Sequence, residues 1–301
     1  MTGTFPEGIQ HLRVIQSLAI GFGELGGTIP KEISNMRHLA SVEAHFNAIT
    51  GTLPDEMWEA PNLQRLNLAS NRITGSIGSA ISKLRDLKAL YLFDNMLTGA
   101  IPAAFGDSKS LSFLRMHRNQ LTGQIPSSIG KSQSIESLWL HGNDLSGTLP
   151  SEIGTMASLK DLRVHSNPRL GGHIPSEIYL PYLYRLDLQD CNFTGPLHEN
   201  LANMTGLATF RAQNNMLTGQ VPVGLSKVQG LTTFTIHGND ITGTMPSDLC
   251  EMKNMSEFFF SLEADCLKPG AGVEAEISCP GTCCTRCCDA AGVVCVDGPQ
   301  T

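Results

Sequence analysis

Hydrophobic positions along the chain recur with a single period. A segment of the form Leu-x-x-Leu-x-Leu appears as Leu63-Gln-Arg-Leu-Asn-Leu68 and again as Leu87-Lys-Ala-Leu-Tyr-Leu92. Three residues after each segment stands an Asn. These Asn occupy Asn47, Asn71, Asn95, Asn119, Asn143, Asn167, Asn215 and Asn239, a ladder in steps of 24 in which Cys191 fills the one remaining position. A third signal, Leu-Thr-Gly-x-Ile-Pro, stands at Leu97–Pro102 and Leu121–Pro126, with variants from Leu25–Pro30 to Ile241–Pro246. The x-Leu-x-Leu-x stretch alternates with period two, which predicts a short strand in every turn. Eleven strands are expected, starting near Ile15, Leu39, Leu63, Leu87, Leu111, Ile135, Leu159, Leu183, Leu207, Leu231 and Met255. One such turn cannot bury its own apolar face, so successive turns must stack and share a core. Their strands would then pair in parallel about 4.8 Å apart.

The ladder Asn should turn inward, where its amide can satisfy backbone groups that the bend leaves unpaired. Cys191 fits the same slot as a small buried thiol. The Gly and Pro of the Gly-x-Ile-Pro segment let the chain turn away from the strand. One irregularity, Asn167-Pro-Arg-Leu170-Gly-Gly, inserts a residue while the Asn period is kept, which reads as a local bulge and not as a domain boundary.

This pattern resembles the leucine-rich repeat, L-x-x-L-x-L-x-x-N/C-x-L. The added x-Gly-x-Ile-Pro is similar to the plant-type subclass of receptor-like kinases, receptor-like proteins and polygalacturonase-inhibiting proteins. The resemblance implies an α/β solenoid. It would be a right-handed superhelix over residues 1–263 with 24-residue repeats and a parallel β-sheet on its concave face. A cysteine-rich cap is expected over 264–301. Phe258-Phe-Phe260 takes the last strand position, and Glu263 replaces the ladder Asn.

Eight of nine cysteines crowd the C-terminal end: Cys250, Cys266, Cys279, Cys283, Cys284, Cys287, Cys288 and Cys295. Eight cysteines allow 105 pairings, so the connectivity stays open. Cys284-Thr-Arg-Cys287 also has the spacing of a zinc knuckle, although no His partner accompanies it. Three sequons at Asn192, Asn203 and Asn254 point to an oxidising compartment and to glycosylation. A disulfide-stapled cap on a secreted or cell-surface protein is therefore the reading. The Cys-Cys-Thr-Arg-Cys-Cys string resembles the tails of leucine-rich-repeat proteins of diatoms and related algae. At the other end, Met1-Thr-Gly-Thr-Phe-Pro6 starts in mid-repeat without a signal peptide or cysteine cap, so a preceding part is expected to be missing.

Composition then sharpens the picture. A length of 301 residues would suggest two domains, but the repeat makes it one solenoid with a short cap. Charged residues are only 16%, as a repeated apolar ladder requires. A net charge of −7 argues against a general nucleic-acid binder. No apolar run approaches the roughly 18 residues of a membrane helix, so any membrane link would need a segment absent from this chain. Gly-x-Ser-x-Gly, a P-loop, His-Glu-x-x-His and a helix-opening Gly-x-Gly-x-x-Gly are all missing, and no enzyme activity, cofactor or metal is expected.

Candidate chemistry lies in the columns of the strand face. One column reads Gly21, His45, Ala69, Phe93, His117, His141, His165, Gln189, Gln213, His237 and Ser261, which places five of the nine His together. Such a row could bind anions when protonated near pH 6, although repeat duplication would also produce it. Six of twelve Arg fall in these columns, namely Arg65, Arg115, Arg118, Arg163, Arg185 and Arg211, and none of the nine Lys does. Arg pairs carboxylates bidentately and stacks on rings. The structural alternative pairs these Arg with Glu43, Asp94, Asp161, Asp187, Asp190 and Glu257. Tyr91, Phe93, Phe113 and Trp139 stand on neighbouring turns, and exposed aromatics beside Arg are frequent anchors of recognition surfaces.

The candidate ligand-binding patch is thus Tyr91, Phe93, Phe113, Arg115, His117, Arg118, Trp139, His141, Arg163 and His165. Resemblance to peptide-binding plant receptors implies an Arg-x-Arg pair for a peptide's C-terminal carboxylate, which Arg115-Met-His117-Arg118 and Arg163-Val-His165 approximate. The expected function is extracellular recognition of a peptide, glycan or partner protein on the concave face. The alternatives are an inhibitor of a secreted polysaccharide hydrolase and a structural cell-surface or matrix adhesion module.

Overall fold

The computed structural model describes residues 2–5, 8–255, 261–266, 277–279, 283–288 and 295–297. The chain divides into two compact units, Met1–Ser146 with Thr155–Leu159, and Gly147–Gly154 with Lys160–Thr301. Both are built from the turns of a leucine-rich-repeat solenoid.

In the first unit each turn contributes one three-residue strand to a parallel sheet. The strands are β1 (Ser17–Ala19), β2 (Ser41–Glu43), β3 (Arg65–Asn67), β4 (Ala89–Tyr91), β5 (Phe113–Arg115) and β6 (Ser137–Trp139). Their register puts Leu66, Leu90, Leu114 and Leu138 side by side, all four fully buried. Residues 24 apart therefore occupy one column, and the flanking positions of every strand form the opposite, outward face. Short 3-10 helices such as Asp55–Glu59 and Ser79–Lys83 close the turns, so the elements opposite the sheet are not α-helices.

A second, shorter ladder runs through the Leu-Thr-Gly segments, with Gly99 opposite Leu121 and Gly123 opposite Leu145. Its glycines are required by backbone conformation: Gly75 has φ +78°, and a Cβ there would meet Thr52 Cγ2 at 2.8 Å.

The ladder Asn do what their spacing predicts. Asn71 Oδ1 accepts from the Ile49 amide at 3.0 Å, and its Nδ2 donates to the Ala44 and Leu68 carbonyls, each at 3.0 Å. One carboxamide thus ties together groups of consecutive turns that would otherwise be buried without partners.

The second unit continues the pattern with β7 (Asp161–Arg163), β8 (Arg185–Asp187), β9 (Thr209–Arg211) and β10 (Thr233–Thr235). Cys191 stands in the ladder slot, buried and unbridged. Its thiol donates to the Val164 carbonyl, and burial pushes its pKa up to about 12. The extra residue near Asn167 is absorbed locally, where the Leu170 amide donates to the Asn167 carbonyl.

The eleventh strand departs from the expected register. β11 is Ser261–Ala264 and pairs Thr233 with Ser261, four residues later than the 24-residue spacing places it. The nine-residue helix α1 (Ser247–Met255) takes the place of a short 3-10 turn and lengthens this repeat. Phe258-Phe-Phe260 lies outside the described residues. Ser261 therefore does not belong to the His column, and Glu263 sits in the strand and not in the Asn slot. Asp265 closes the stack instead. Its carboxylate accepts from the Gly238 amide at 2.8 Å and the Asn239 amide at 3.2 Å. In the turn before, the equivalent amides of Asn214 and Asn215 bond to the carbonyls of His237 and Gly238.

All eight tail cysteines are paired, as Cys250–Cys283, Cys266–Cys287, Cys279–Cys284 and Cys288–Cys295. The two cysteines of the C-x-x-C string thus belong to different disulfides. β12 (Arg286–Cys288) adds in parallel to β11, and β13 (Cys295–Asp297) adds antiparallel to β12. Among the described residues no helix is long and apolar enough to cross a membrane.

Candidate ligand-recognition face

Because strand register is kept turn after turn, outward side chains on the first unit stack at the strand spacing of about 4.8 Å. The Arg115 guanidinium carbon lies 3.8 Å from the Trp139 ring centroid, 5.1 Å from that of Tyr91 and 5.9 Å from that of Phe113. Tyr91 is shared, since Arg65 lies 4.7 Å from its centroid on the other side. Arg65 is bound in turn to Glu43, which also accepts from Asn67 at 2.7 Å. A cation beside aromatic faces contributes about 0.5–1 kcal/mol when exposed and about 2 kcal/mol when desolvated. The arrangement gives a rigid surface whose aromatic edges and guanidinium are held in place before any partner arrives.

The neighbouring column is a stack of rings. Phe93 and His117 are stacked 4.5 Å apart and nearly parallel, and His117 and His141 are stacked 4.2 Å apart. This corrects the expectation of an open histidine row, because His117 and His141 are only 7% and 9% exposed. Flat side chains at rung spacing cover each other, so these imidazoles form part of the packing of the face. Arg118 remains exposed, 3.6 Å from Asp94.

Arg163 and His165 belong to the second unit, where the Arg side chains are tied to carboxylates of their own face. Arg163 makes two bonds of 2.9 and 2.8 Å to Asp161. Arg185 donates to Asp187 at 2.8 Å, and Arg211 approaches the same carboxylate at 3.9 Å. The pairing alternative therefore describes this unit, and in the first unit it also describes Arg65 with Glu43 and Arg118 with Asp94. His165 lies 3.0 Å from the Ser166 hydroxyl, and burial lowers its pKa below the usual value. His237 lies 3.4 Å from Glu263, whose carboxyl it holds below the ordinary range. His237 also groups with Cys288 and Cys295, as does Cys266 with Cys279 and Cys284, but all five cysteines are already committed to disulfides.

Of the sequons, Asn192 and Asn203 are exposed, on the second-ladder strand Asn192–Pro196 and the 3-10 helix Glu199–Asn203. Asn254 is near the end of α1, and its side chain is outside the described residues.

Sequence reasoning missed two residues of the first unit. Phe22 and Phe46 are 76% and 49% exposed and stack at 5.1 Å with an interplanar angle of 10°. His45 meets both rings edge-on, at 4.8 and 5.8 Å. Both Phe adopt the left-handed backbone region, with φ +56° and +52°, a conformation that costs an L-residue roughly 1–2 kcal/mol. Later turns of the first unit place Ser70, Asp94, Arg118 and Gly142 there. The signal was a bulky ring one residue before the ladder position, where the other turns carry small or polar side chains.

The repeat pattern described as "Leucine Rich Repeat" matches residues 134–156 and 182–204, and a second leucine-rich-repeat pattern matches 61–121. Solved structures match over most of the chain. The crystal structure of a TDR receptor is 27% identical with a TM-score of 0.83, covering 88% of this chain and 46% of its own. The plant-type assignment follows from that likeness together with the Asn ladder and the Gly-x-Ile-Pro turns.

The chain is a plant-type leucine-rich-repeat protein. Another similar structure is the Arabidopsis receptor kinase HAESA in complex with the peptide hormone IDA and the co-receptor SERK1, at 29% identity and TM-score 0.71, covering 87% of this chain and 48% of that one. A plant ice-binding protein is also similar, at 26% identity and TM-score 0.58 over 81% of this chain and 71% of that one. The leucine-rich-repeat protein spans about half the length of the receptor chains it matches. No curated protein sequence matches it.

Proposed function

We propose that this protein is a non-enzymatic, extracellular recognition module that binds a peptide or peptide segment of a protein partner on the outward face of its first-unit strands. The observation that carries the reading is the Arg115 guanidinium seated on Trp139 and flanked by Tyr91. Such a group combines a guanidinium with apolar ring surface, the composition of an interface anchor. Similarity to receptor ectodomains, one of them solved with a peptide hormone, supports the class of partner. Four disulfides support an oxidising compartment. Aromatic faces of this kind also suit a glycan, hydrolase inhibition or adhesion, and the likeness to a receptor solved with a peptide is what favours a peptide. Fold alone does not choose among them.

The test is a panel of synthetic ten-residue peptides, followed by titration of the selected peptides into wild-type protein and the R115A/W139A variant. The reading expects a loss of at least tenfold in affinity with the far-UV spectrum unchanged. Equal affinity for both proteins would overturn it.

A further inference from the structure

The Phe22–Phe46 pair combines two features that local preference disfavours, an exposed ring and a positive φ, at adjacent turns. Large apolar side chains belong inside, yet these two are the outermost rings of the first turns. Bulky residues avoid positive φ, yet both adopt it, at a position where other turns carry Gly, Ser, Asp, Asn or Arg and none of them a ring. Fold stability requires neither, because the same backbone conformation recurs at Ser70 and Gly142 without a ring. Residues that violate local preference without a structural need are where function is expected.

The pair is also supported from beneath. His45 is edge-on to both rings and is itself fixed by Asn67, whose amide group lies 3.0 Å from its Nδ1. Room for His45 comes from Gly21, where a Cβ would stand 2.9 Å from the imidazole. Glu43, the acid next to this cluster, is engaged by Arg65, Asn67 and His45. The acid that contacts His45 is therefore matched.

An unbroken series of contacts then runs to the Arg115 site. His45 joins Glu43, Glu43 joins Arg65, Arg65 joins Tyr91, and Tyr91 joins Arg115. From the turn of Phe22 to that of Trp139 is five strand spacings, or about 24 Å. An extended peptide covers that span with about seven residues, at about 3.3 Å each.

We infer that Phe22 and Phe46 form a second subsite, which seats an aromatic side chain of the same peptide whose other end lies at Arg115 and Trp139. This rests on the proposed function. Continuity with the Arg115 face selects the occupant, and the rings select its side chain, because a neutral ring can extend the two-ring stack. The partner is accordingly a segment of at least seven residues, with an aromatic residue about four to six positions from the group bound at Arg115, which stands three to four strand spacings from the two rings.

The experiment uses F22N/F46N, because Asn tolerates positive φ, and the same ten-residue peptide panel. Wild-type protein should enrich peptides with an aromatic residue near one end. F22N/F46N should lose that enrichment and bind the selected peptides at least tenfold more weakly, while its melting temperature stays the same or rises. Enrichment without any aromatic preference, or a preference that survives in F22N/F46N, overturns the subsite and leaves the Arg115 reading standing. A clear fall in melting temperature also overturns it, because the rings would then serve the fold. If no peptide is enriched by wild-type protein, the proposed function fails and the subsite fails with it.

Discussion

The guanidinium carbon of Arg115 stands 3.8 Å from the ring centroid of Trp139, one strand away in the same column. The two belong to β5 and β6, whose pairing aligns Arg115 directly with Trp139. A double-mutant cycle on R115A, W139A and the double variant should give a coupling of about 1 kcal/mol in unfolding free energy. Additive single effects in denaturant titrations would show that the contact is incidental.

The Asn ladder predicts an unequal response to truncation at equivalent slots. N71A removes an acceptor from the Ile49 amide and a donor from two buried carbonyls. The Ala44 and Leu68 carbonyls keep donors in Asn47 and Asn95, so the Ile49 amide is the group left unmatched and the variant should lose about 1–3 kcal/mol of stability. C191A loses one weak thiol contact and should cost about 1 kcal/mol or less. Chemical denaturation of both variants checks the ranking.

Asp265 predicts a local effect at the end of the stack. Removing its carboxylate in D265A leaves the Gly238 and Asn239 amides without the acceptor that closes the tenth turn. Amide exchange at these two positions should accelerate by at least tenfold while that at Ile49 and Ile73 is unchanged. Non-reducing peptide mapping of the same protein should recover Cys250–Cys283, Cys266–Cys287, Cys279–Cys284 and Cys288–Cys295.

Acid should weaken the second unit through two groups of the same sign. The Glu263 carboxyl is lowered, first by its hydrogen bond with His237, so the unfolded chain takes up its proton at a higher pH than the folded one. Its contribution is present above the ordinary carboxylate range and is lost as pH falls through the lowered value. His165 is lowered by burial, so the unfolded chain also protonates first below pH 6.5 and stability falls in that window too. Denaturation midpoints should therefore decline from neutral pH downward. H165Q should flatten the upper part of the decline and E263Q the lower part; curves parallel to wild type would contradict the assignment.

Periodicity made most of the fold legible, because a 24-residue repeat of Leu and Asn leaves few ways to stack a chain. It failed at β11, where the longer helix α1 breaks the count, a tertiary effect that spacing cannot register. Cysteine number announced the cap, but the pairings depend on three-dimensional proximity of residues such as Cys250 and Cys283. Columns read from the repeat put Tyr91, Arg115 and Trp139 together correctly. They did not distinguish exposed from stacked side chains, so His117 and His141 looked open when their own rings cover one another. Phe22 and Phe46 share the repeat position of Arg118 on the face, but they lie outside the run of neighbouring turns that carries Tyr91 to Trp139, so the clustering of aromatics along the sequence passes over them.

The most direct test of the central claim is hydroxyl-radical footprinting with and without a peptide selected from the panel. The account predicts that oxidation of Tyr91, Phe113 and Trp139 falls on binding, while the exposed Tyr182 and Tyr184 of the second unit react as before. Unchanged oxidation of Tyr91, Phe113 and Trp139, with protection of Tyr182 or Tyr184 instead, would contradict it.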